Sequence, residues 1–207
     1  MMLPDPCPMF PLGGVLFPHA VLPLHVFEPR YRRLTERCLT GDGRFGVVLI
    51  ERGSEVGGGD VRFGVGTLAQ IVQAGRFDDG RYALVTVGTA RVRIMSWLED
   101  DPYPRARVEP LADAPGAADR GQLDEVARLL ERVVALLAEL GAPGPPSEVA
   151  FDDDLVQASF QASARAPVGP LDAQALLELD DAGTRFDRLT ELLTEEARVL
   201  EFRLSGG

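Results

Sequence analysis

The spacing of apolar residues differs between the two halves of this chain. Up to about residue 110, apolar residues come in short runs, often with the two-residue alternation typical of β-strands. Beyond about residue 120 they recur every three or four residues, which is the period of an amphipathic α-helix. The pattern therefore predicts a mainly β first half and a helical second half.

Prolines interrupt the apolar stretch 9–31, which contains the runs 12–17 and 22–27. Each proline lacks an N–H and fixes φ, so the stretch is neither one helix nor one long strand. We expect a short first strand, then a mostly buried crossing loop, then a helix. Because proline suits the first helical position, the helix is predicted to begin at Pro29 and to end near Leu39.

Further strands are predicted later in the first half, in segments rich in β-branched residues. They cover residues 44–51, 61–73, 81–88, 90–97 and 105–110. The glycine-rich loop between the first two predicts a hairpin connection, since it lacks the Gly-Lys-Ser/Thr end of a phosphate-binding loop. Short strands at this spacing indicate a small closed or rolled sheet, which leaves few strand edges unpaired.

The second half predicts three to four helices. Asp119 and Gln122 have the spacing of a capping box before the first of them. The predicted helices cover residues 123–140, 152–166, 172–179 and 182–204. Because none of them can bury its apolar face alone, we expect the helices to pack on one another and partly against the β-rich half.

Charge is unevenly distributed along the chain, whose formal net charge is −11. Residues 1–110 carry 13 arginines and 13 acidic residues, whereas residues 111–207 carry 8 and 19. The change coincides with prolines and glycines in the segment 109–121, which predicts two domains, 1–112 and 113–207. All 21 basic residues are arginines, which excludes a Schiff-base lysine, a Ser–Lys dyad and the lysine of a P-loop.

Residue types that carry chemistry are sparse. His19 and His25 lack metal-site spacing, and we expect packed imidazoles without a metal or cofactor. Cys7 and Cys38 lack CxxC spacing and are expected to be reduced thiols of a cytoplasmic protein, with a single disulfide as the alternative. Glu28 is expected to have a structural role, either capping the following helix or pairing with an arginine.

An ordered set of motifs connects the chain with a known family. The run Leu-Phe-Pro…Leu-Pro-Leu…Phe-Glu-Pro-Arg-Tyr lies within residues 16–31, and Trp97 and then Pro-Tyr-Pro at 102–104 follow it. This order resembles the N-terminal substrate-binding domain of the Lon protease, above all small bacterial proteins that consist of that domain alone, over about residues 8–200. The resemblance implies an α+β fold: a PUA-like rolled β-barrel with one inserted helix, followed by a C-terminal helical bundle.

The resemblance also implies a function. Domains of this family recognise unfolded or tagged proteins and do not hydrolyse peptides, so we expect a non-enzymatic protein-binding module, with a protease or chaperone as a further partner. We expect neither an ATPase nor a protease module, because the chain has no lysine to supply either. The candidate peptide contacts are aromatic residues of the first half: Phe17, Phe77, Tyr82 and Tyr103, together with Phe27.

Two alternative functions stay open. PUA-like folds elsewhere bind RNA, and a basic patch could form from Arg30, Arg32, Arg33, Arg91, Arg93, Arg105 and Arg107. The net charge of −11 opposes RNA binding. An uncharacterised hydrolase is the other alternative, although no acid–base pair supports it.

The sequence also bears on location. It has no run of the ~18 apolar residues that a membrane span needs. Its N-terminus carries an acid and no basic region, unlike a secretory signal, so a cytoplasmic protein is expected.

Overall fold

The computed structural model describes residues 3–52, 61–114, 116–144 and 150–206. The chain divides into two compact units, Met1–Ala112 and Asp113–Gly207. Unit 1 contains the strands β1 (Cys7–Leu12), β2 (Val21–Val26), β3 (Arg44–Arg52), β4 (Val61–Arg76), β5 (Tyr82–Leu98) and β6 (Arg105–Pro110), with helix α1 (Pro29–Leu39) between β2 and β3. Unit 2 contains the helices α2 (Arg120–Glu139), α3 (Leu155–Arg165), α4 (Pro170–Glu178) and α5 (Ala182–Leu204).

The mixed sheet and the five helices of the described ranges confirm the predicted α+β class. The glycine-rich loop predicted to connect β3 and β4 lies outside the described residues. None of the helices in the described ranges has the length and hydropathy that crossing a bilayer requires.

The strands of unit 1 form one sheet in the order β2-β5-β4-β3-β1-β6, and β6 also pairs with β5. Five strands therefore form a closed ring, and β2 extends from it as an edge strand. The length of β5 makes this possible, because its first half pairs with β2 and its second half with β6. The pairing of β1 with β3 is parallel and the other pairings are antiparallel.

The proline-broken stretch contains two strands, which corrects the expected single strand and crossing loop. β1 ends where the predicted run 12–17 begins, and β2 covers much of the expected loop. β1 tolerates its prolines because Pro8 precedes the pairing with β3, which begins at Met9, and Pro11 lies beyond the pairing with β6. At each proline, the missing N–H would face a strand that does not pair with β1 at that residue.

Helix α1 begins at Pro29, as the sequence predicts. Its buried face carries Tyr31, Leu34 and Cys38. The ring of Tyr31 stacks on Phe10 of β1, with ring centroids 4.1 Å apart. This contact fixes the start of α1 against the core of unit 1.

Two glycines permit close backbone approaches within unit 1. A Cβ atom on Gly66 would lie 2.3 Å from the carbonyl oxygen of Val47 in the paired strand β3. A Cβ atom on Gly88 would lie 2.3 Å from the carbonyl oxygen of Phe17. Only glycine therefore fits these two positions without a backbone shift.

Three of the four described helices of unit 2, α2, α3 and α5, begin at side-chain caps, whereas α4 begins after Gly169 without one. The predicted capping box is confirmed: Asp119 accepts from the backbone N–H of Gln122 at 3.0 Å, and the Gln122 side chain accepts from the Asp119 N–H at 3.2 Å. Asp154 and Asp181 also accept hydrogen bonds from backbone N–H groups at the starts of α3 and α5, without a reciprocal bond. These caps satisfy backbone donors that a helix leaves unpaired at its start.

A buried arginine connects several parts of unit 2. The Arg185 guanidinium is fully buried and donates to Asp113 at 2.6 Å, to the Ser159 hydroxyl at 2.6 Å and to the carbonyl of Leu176 at 3.2 Å. It also lies over the Phe160 ring, 3.9 Å from the centroid. Burial lowers the pKa of Arg185, and the neighbouring Asp113 carboxylate opposes that shift.

Candidate functional site

The outer edge of β2 is a free strand edge in the described part of unit 1. β2 pairs only with β5, and Gly88 N–H donates to the Ala20 carbonyl at 2.9 Å just before β2 begins. In an antiparallel pair, every second residue hydrogen-bonds to the partner strand. The residues between them direct their N–H and C=O groups away from that strand. Val21, Pro23 and His25 are these outward residues. A proline fits here, because its missing N–H would face away from β5.

Aromatic rings gather at the end of this edge. The side chains of Phe27 and Phe77 are 54% and 48% exposed. The His25 ring lies between them, with centroid distances of 6.4 Å to Phe27 and 6.0 Å to Phe77, in edge-to-face geometry. We call the outward residues of β2 and these two phenylalanines the β2 edge surface: Val21, Pro23, His25, Phe27 and Phe77.

A tight turn holds Phe77 in place at the tip of the β4–β5 hairpin. The Phe77 N–H donates to the Arg81 carbonyl, and Gly80 N–H donates to the Phe77 carbonyl, each at 2.9 Å. Gly80 has φ of 82°, a left-handed conformation that suits glycine. The Arg81 guanidinium lies 5.7 Å from the centroid of the Phe77 ring. The turn therefore fixes the backbone that carries the exposed ring.

Two shallow cavities border β2. One, of about 220 Å³, is lined mainly by apolar residues, including Leu12, Leu24 and Phe27. The other, of about 460 Å³, lies against β4 and β5, with Gly75 and Leu84 in its lining. Leu24 and His25 line both cavities. A chain laid along the edge could therefore place apolar side chains on both sides of β2.

Carboxylates are sparse on this surface. Glu28 is the one carboxylate among the described residues lining the two cavities, and Arg30 donates to it at 3.0 Å. This pairing gives Glu28 the structural role expected from the sequence, without a side-chain cap of α1. The described residues contain no group of three or more side chains placed to hold a metal ion.

The structure separates the predicted peptide contacts. Phe77 is exposed and lies near Phe27, whereas Phe17 and Tyr82 are buried in unit 1. Tyr103 is also buried, and it lines a different cavity. Of the five aromatic residues, Phe27 and Phe77 are therefore exposed together, whereas the side chains of the other three are buried.

Sequence reasoning missed His25 and Pro23 as surface residues. Both were expected within a buried segment, yet both are exposed. The signal for this edge was Pro23 itself, since a proline inside a strand-like run points to an edge strand.

The arginines considered for RNA binding do not form one unpaired patch. Arg91 is buried within unit 1, and its side chain donates to the Ala112 carbonyl at 3.4 Å. Arg93 pairs with Glu109 at 3.6 Å. These contacts, with that of Arg30 described above, leave less exposed positive charge than the sequence alone suggested.

Comparisons with known proteins agree on one family. Residues 6–195 match the family model described as the ATP-dependent protease La (LON) substrate-binding domain. Curated relatives include a Lon protease from Trichlorobacter lovleyi, 26% identical over 97% of this chain and 25% of the relative, and Lon protease 2 from Sorangium cellulosum, 29% identical over 96% and 26%. The chain thus spans about a quarter of the length of these relatives.

Solved structures give the same result. A Lon N-terminal domain protein from Xanthomonas campestris is 27% identical, with a TM-score of 0.62 over 88% of this chain and 95% of that one. The N-terminal domain of a Mycobacterium avium complex Lon protease shares the fold, with 17% identity and a TM-score of 0.61 over 91% of this chain and 98% of that one. In the curated relatives, by contrast, the match is confined to 25% and 26% of their length.

Proposed function

This chain belongs to the Lon substrate-binding domain family, and on that premise we propose that it binds unfolded or tagged segments of other proteins without cleaving them. The segments would be presented to a partner protease or chaperone. The absence of lysine supports the non-enzymatic part of this proposal, because a Ser–Lys dyad and a Walker lysine cannot form within these 207 residues.

The observation that carries the proposal is the β2 edge surface. An unfolded segment can add to a free strand edge by backbone hydrogen bonds, which do not depend on its sequence. Val21 and His25 each offer an outward N–H, and Pro23 offers only its carbonyl. The exposed rings of Phe27 and Phe77 then provide apolar area for side chains of the bound segment.

Charge on this surface also fits a general protein client. Near the rings, Arg81 is paired with Asp79, with 2.6 Å between Nε and Oδ2. The two cavities contain no unpaired carboxylate among their described lining residues. Apolar contact and backbone pairing would therefore decide affinity, with little selection for the charge of the client.

The test is binding of a permanently unfolded probe, reduced and carboxymethylated α-lactalbumin, measured by fluorescence anisotropy. The double variant Phe27→Ser/Phe77→Ser should lose about tenfold or more in affinity, because hot-spot aromatic side chains contribute ~2 kcal/mol or more to binding. Met95→Ser is the matched control, since Met95 is 58% exposed on β5 but lies outside the β2 edge surface.

Two results would contradict the proposal. One is unchanged affinity in the double variant, and the other is an equal loss in Met95→Ser. Hydrogen exchange provides a second measurement, because strand addition should slow exchange of the His25 amide in the presence of the probe.

We further propose that the ring of strands in unit 1 is a PUA-like barrel and that unit 2 is a separate helical-bundle domain. The insertion of α1 between β2 and β3 supports the first point. The change of composition and charge near residue 112 supports the second. Trp97, the single tryptophan, lies in unit 1 and would report its unfolding separately from the helical signal of unit 2.

A further inference from the structure

A third cavity of unit 1 lies apart from the β2 edge surface. It has a volume of about 390 Å³ and is bordered by the segment before β1, the C-terminal end of α1 and the start of β6. Its size is within the range of small-molecule sites. The polar side chains that define it are Arg37, Arg44, Tyr103 and Arg105, and we call it the arginine cavity.

Tyr103 leaves a donor unused in this cavity. Its side chain is only 9% exposed, and its hydroxyl makes no hydrogen bond to any residue that the structure describes. The hydroxyl is not one of the fully buried polar atoms that lack a partner, so it is open to the cavity and can donate to a group that enters there. Burial raises the pKa of Tyr103, so the hydroxyl is protonated and able to donate at neutral pH.

The three arginines of the cavity differ in their pairing. Arg44 donates to Asp42 through Nε at 2.8 Å and through a second N–H, so its charge is largely compensated. Arg37 has no carboxylate within 4.0 Å in the described part of the chain. The cavity lining carries these two arginines and Arg105 against Asp5 and Asp42, which leaves one net positive charge.

The guanidinium groups of Arg37 and Arg105 both act on the Tyr103 hydroxyl. Both guanidinium groups lower the pKa of Tyr103, although burial outweighs them. They come from different elements, α1 and β6, which are brought together only by the fold. Arg105 is partly compensated, because it donates to the Glu99 carbonyl at 3.1 Å and lies 3.9 Å from the Asp101 carboxylate, but its Nε is buried without a partner among the described residues. The Tyr103 hydroxyl and the Arg37 guanidinium are therefore the donors that remain open to a ligand.

We propose that the arginine cavity binds a ligand through a carboxylate or phosphate group, which accepts a hydrogen bond from Tyr103 and pairs with Arg37. Guanidinium groups suit both anions, because their fork of N–H donors matches two oxygens at once. Arg105, which is partly compensated by Asp101, adds positive charge near Tyr103. This site is independent of client binding at the β2 edge surface.

The full chain is titrated with three probes at constant ionic strength, and binding is measured by isothermal titration calorimetry. The probes are inorganic phosphate, and one short peptide made with either a free or an amidated C-terminus. We expect saturable binding of phosphate, of the free-carboxylate peptide, or of both, and the pattern identifies the source of the anion. Arg37→Gln should weaken that binding by about tenfold, and Tyr103→Phe by about threefold or more.

Arg33→Gln is the matched control. Arg33 lies one turn before Arg37 on the same helix, is exposed, and does not line the cavity. It should change affinity by less than about twofold, since an exposed charge acts only through a screened long-range field. The proposal is overturned if neither phosphate nor the free-carboxylate peptide binds, if the amidated peptide binds as tightly as the free acid, or if Arg33→Gln weakens binding as much as Arg37→Gln.

Discussion

Replacing Arg185 by methionine should destabilise unit 2 strongly. The substitution keeps an unbranched side chain of similar length in the buried site but removes the positive charge and every N–H donor. It removes the guanidinium that pairs with the Asp113 carboxylate at 2.6 Å, and the Asp113 side chain is only 14% exposed. It also removes the hydrogen bonds that Arg185 donates to the carbonyls of Leu176 and Leu179, at 3.2 and 2.9 Å.

The expected loss in unfolding free energy is ~3–5 kcal/mol, the usual cost of removing one partner from a buried ion pair. Because the guanidinium is fully buried, solvent does not screen this interaction. For a unit of this size, a urea dependence of ~1–3 kcal/mol per molar converts the loss into a midpoint shift on the order of 2 M. The stacking of the guanidinium on Phe160 adds to the expected effect.

Urea unfolding followed by circular dichroism at 222 nm measures this change, since that signal comes mainly from the helices of unit 2. Arg198→Met is the control on the same helix, because Arg198 is exposed and its loss should cost less than ~0.5 kcal/mol. The double variant Arg185→Met/Asp113→Leu should recover part of the loss, because it leaves no unpaired charge. A loss below ~1 kcal/mol in the single variant, with cooperative unfolding retained, would refute the reasoning.

Three further predictions follow from unit 1 and from the start of α5. Gly66→Ala should cost ~1–3 kcal/mol in chemical denaturation, because its Cβ would lie 2.3 Å from a backbone carbonyl, whereas Gly64→Ala, with nothing within 4 Å, should not. Hydrogen bonds from the first turn of α5 lower the pKa of Asp181, so the stability lost in Asp181→Ala should be greatest above pH ~4 and should vanish as the pH falls through the folded pKa; a pH-independent difference would contradict this. Burial raises the pKa of Cys7 and of Cys38 to about 12, so Ellman's reagent at pH ~8 should label both thiols only as the chain unfolds, and rapid labelling of the native protein would contradict their burial.

Local rules predicted the elements that have a single strong local signal. The start of α1 at Pro29, the cap at Asp119 and the whole of α5 follow from proline geometry, cap spacing and helical period. The same rules failed at β1, because the prohibition on proline in a strand depends on which neighbour pairs at that residue. Pro8 and Pro11 each lie outside one of the two pairings of β1, which only the completed sheet reveals.

The candidate site was only partly predictable, since alternation assigns residues to faces but does not say which face stays uncovered. Phe77 was predicted as a contact and is exposed, while Phe17 and Tyr82 belong to the core. His25 was expected to be packed within a buried segment and instead lies exposed between two phenylalanine rings. The difference arises because β2 is an edge strand, a property set by the order of strands and not by its own sequence.

The arginine cavity shows why net charge is a poor guide to local binding. The total of −11 opposes the approach of any anion at long range, and ions screen that field within ~10 Å in ordinary salt. At contact, affinity depends instead on which charges are already paired. Arg44 is held by Asp42, whereas Arg37 and the Tyr103 hydroxyl have no such partner among the described residues. If the cavity binds anions as proposed, raising the ionic strength should weaken binding less than at a site that depends on long-range attraction, because the long-range field here is repulsive.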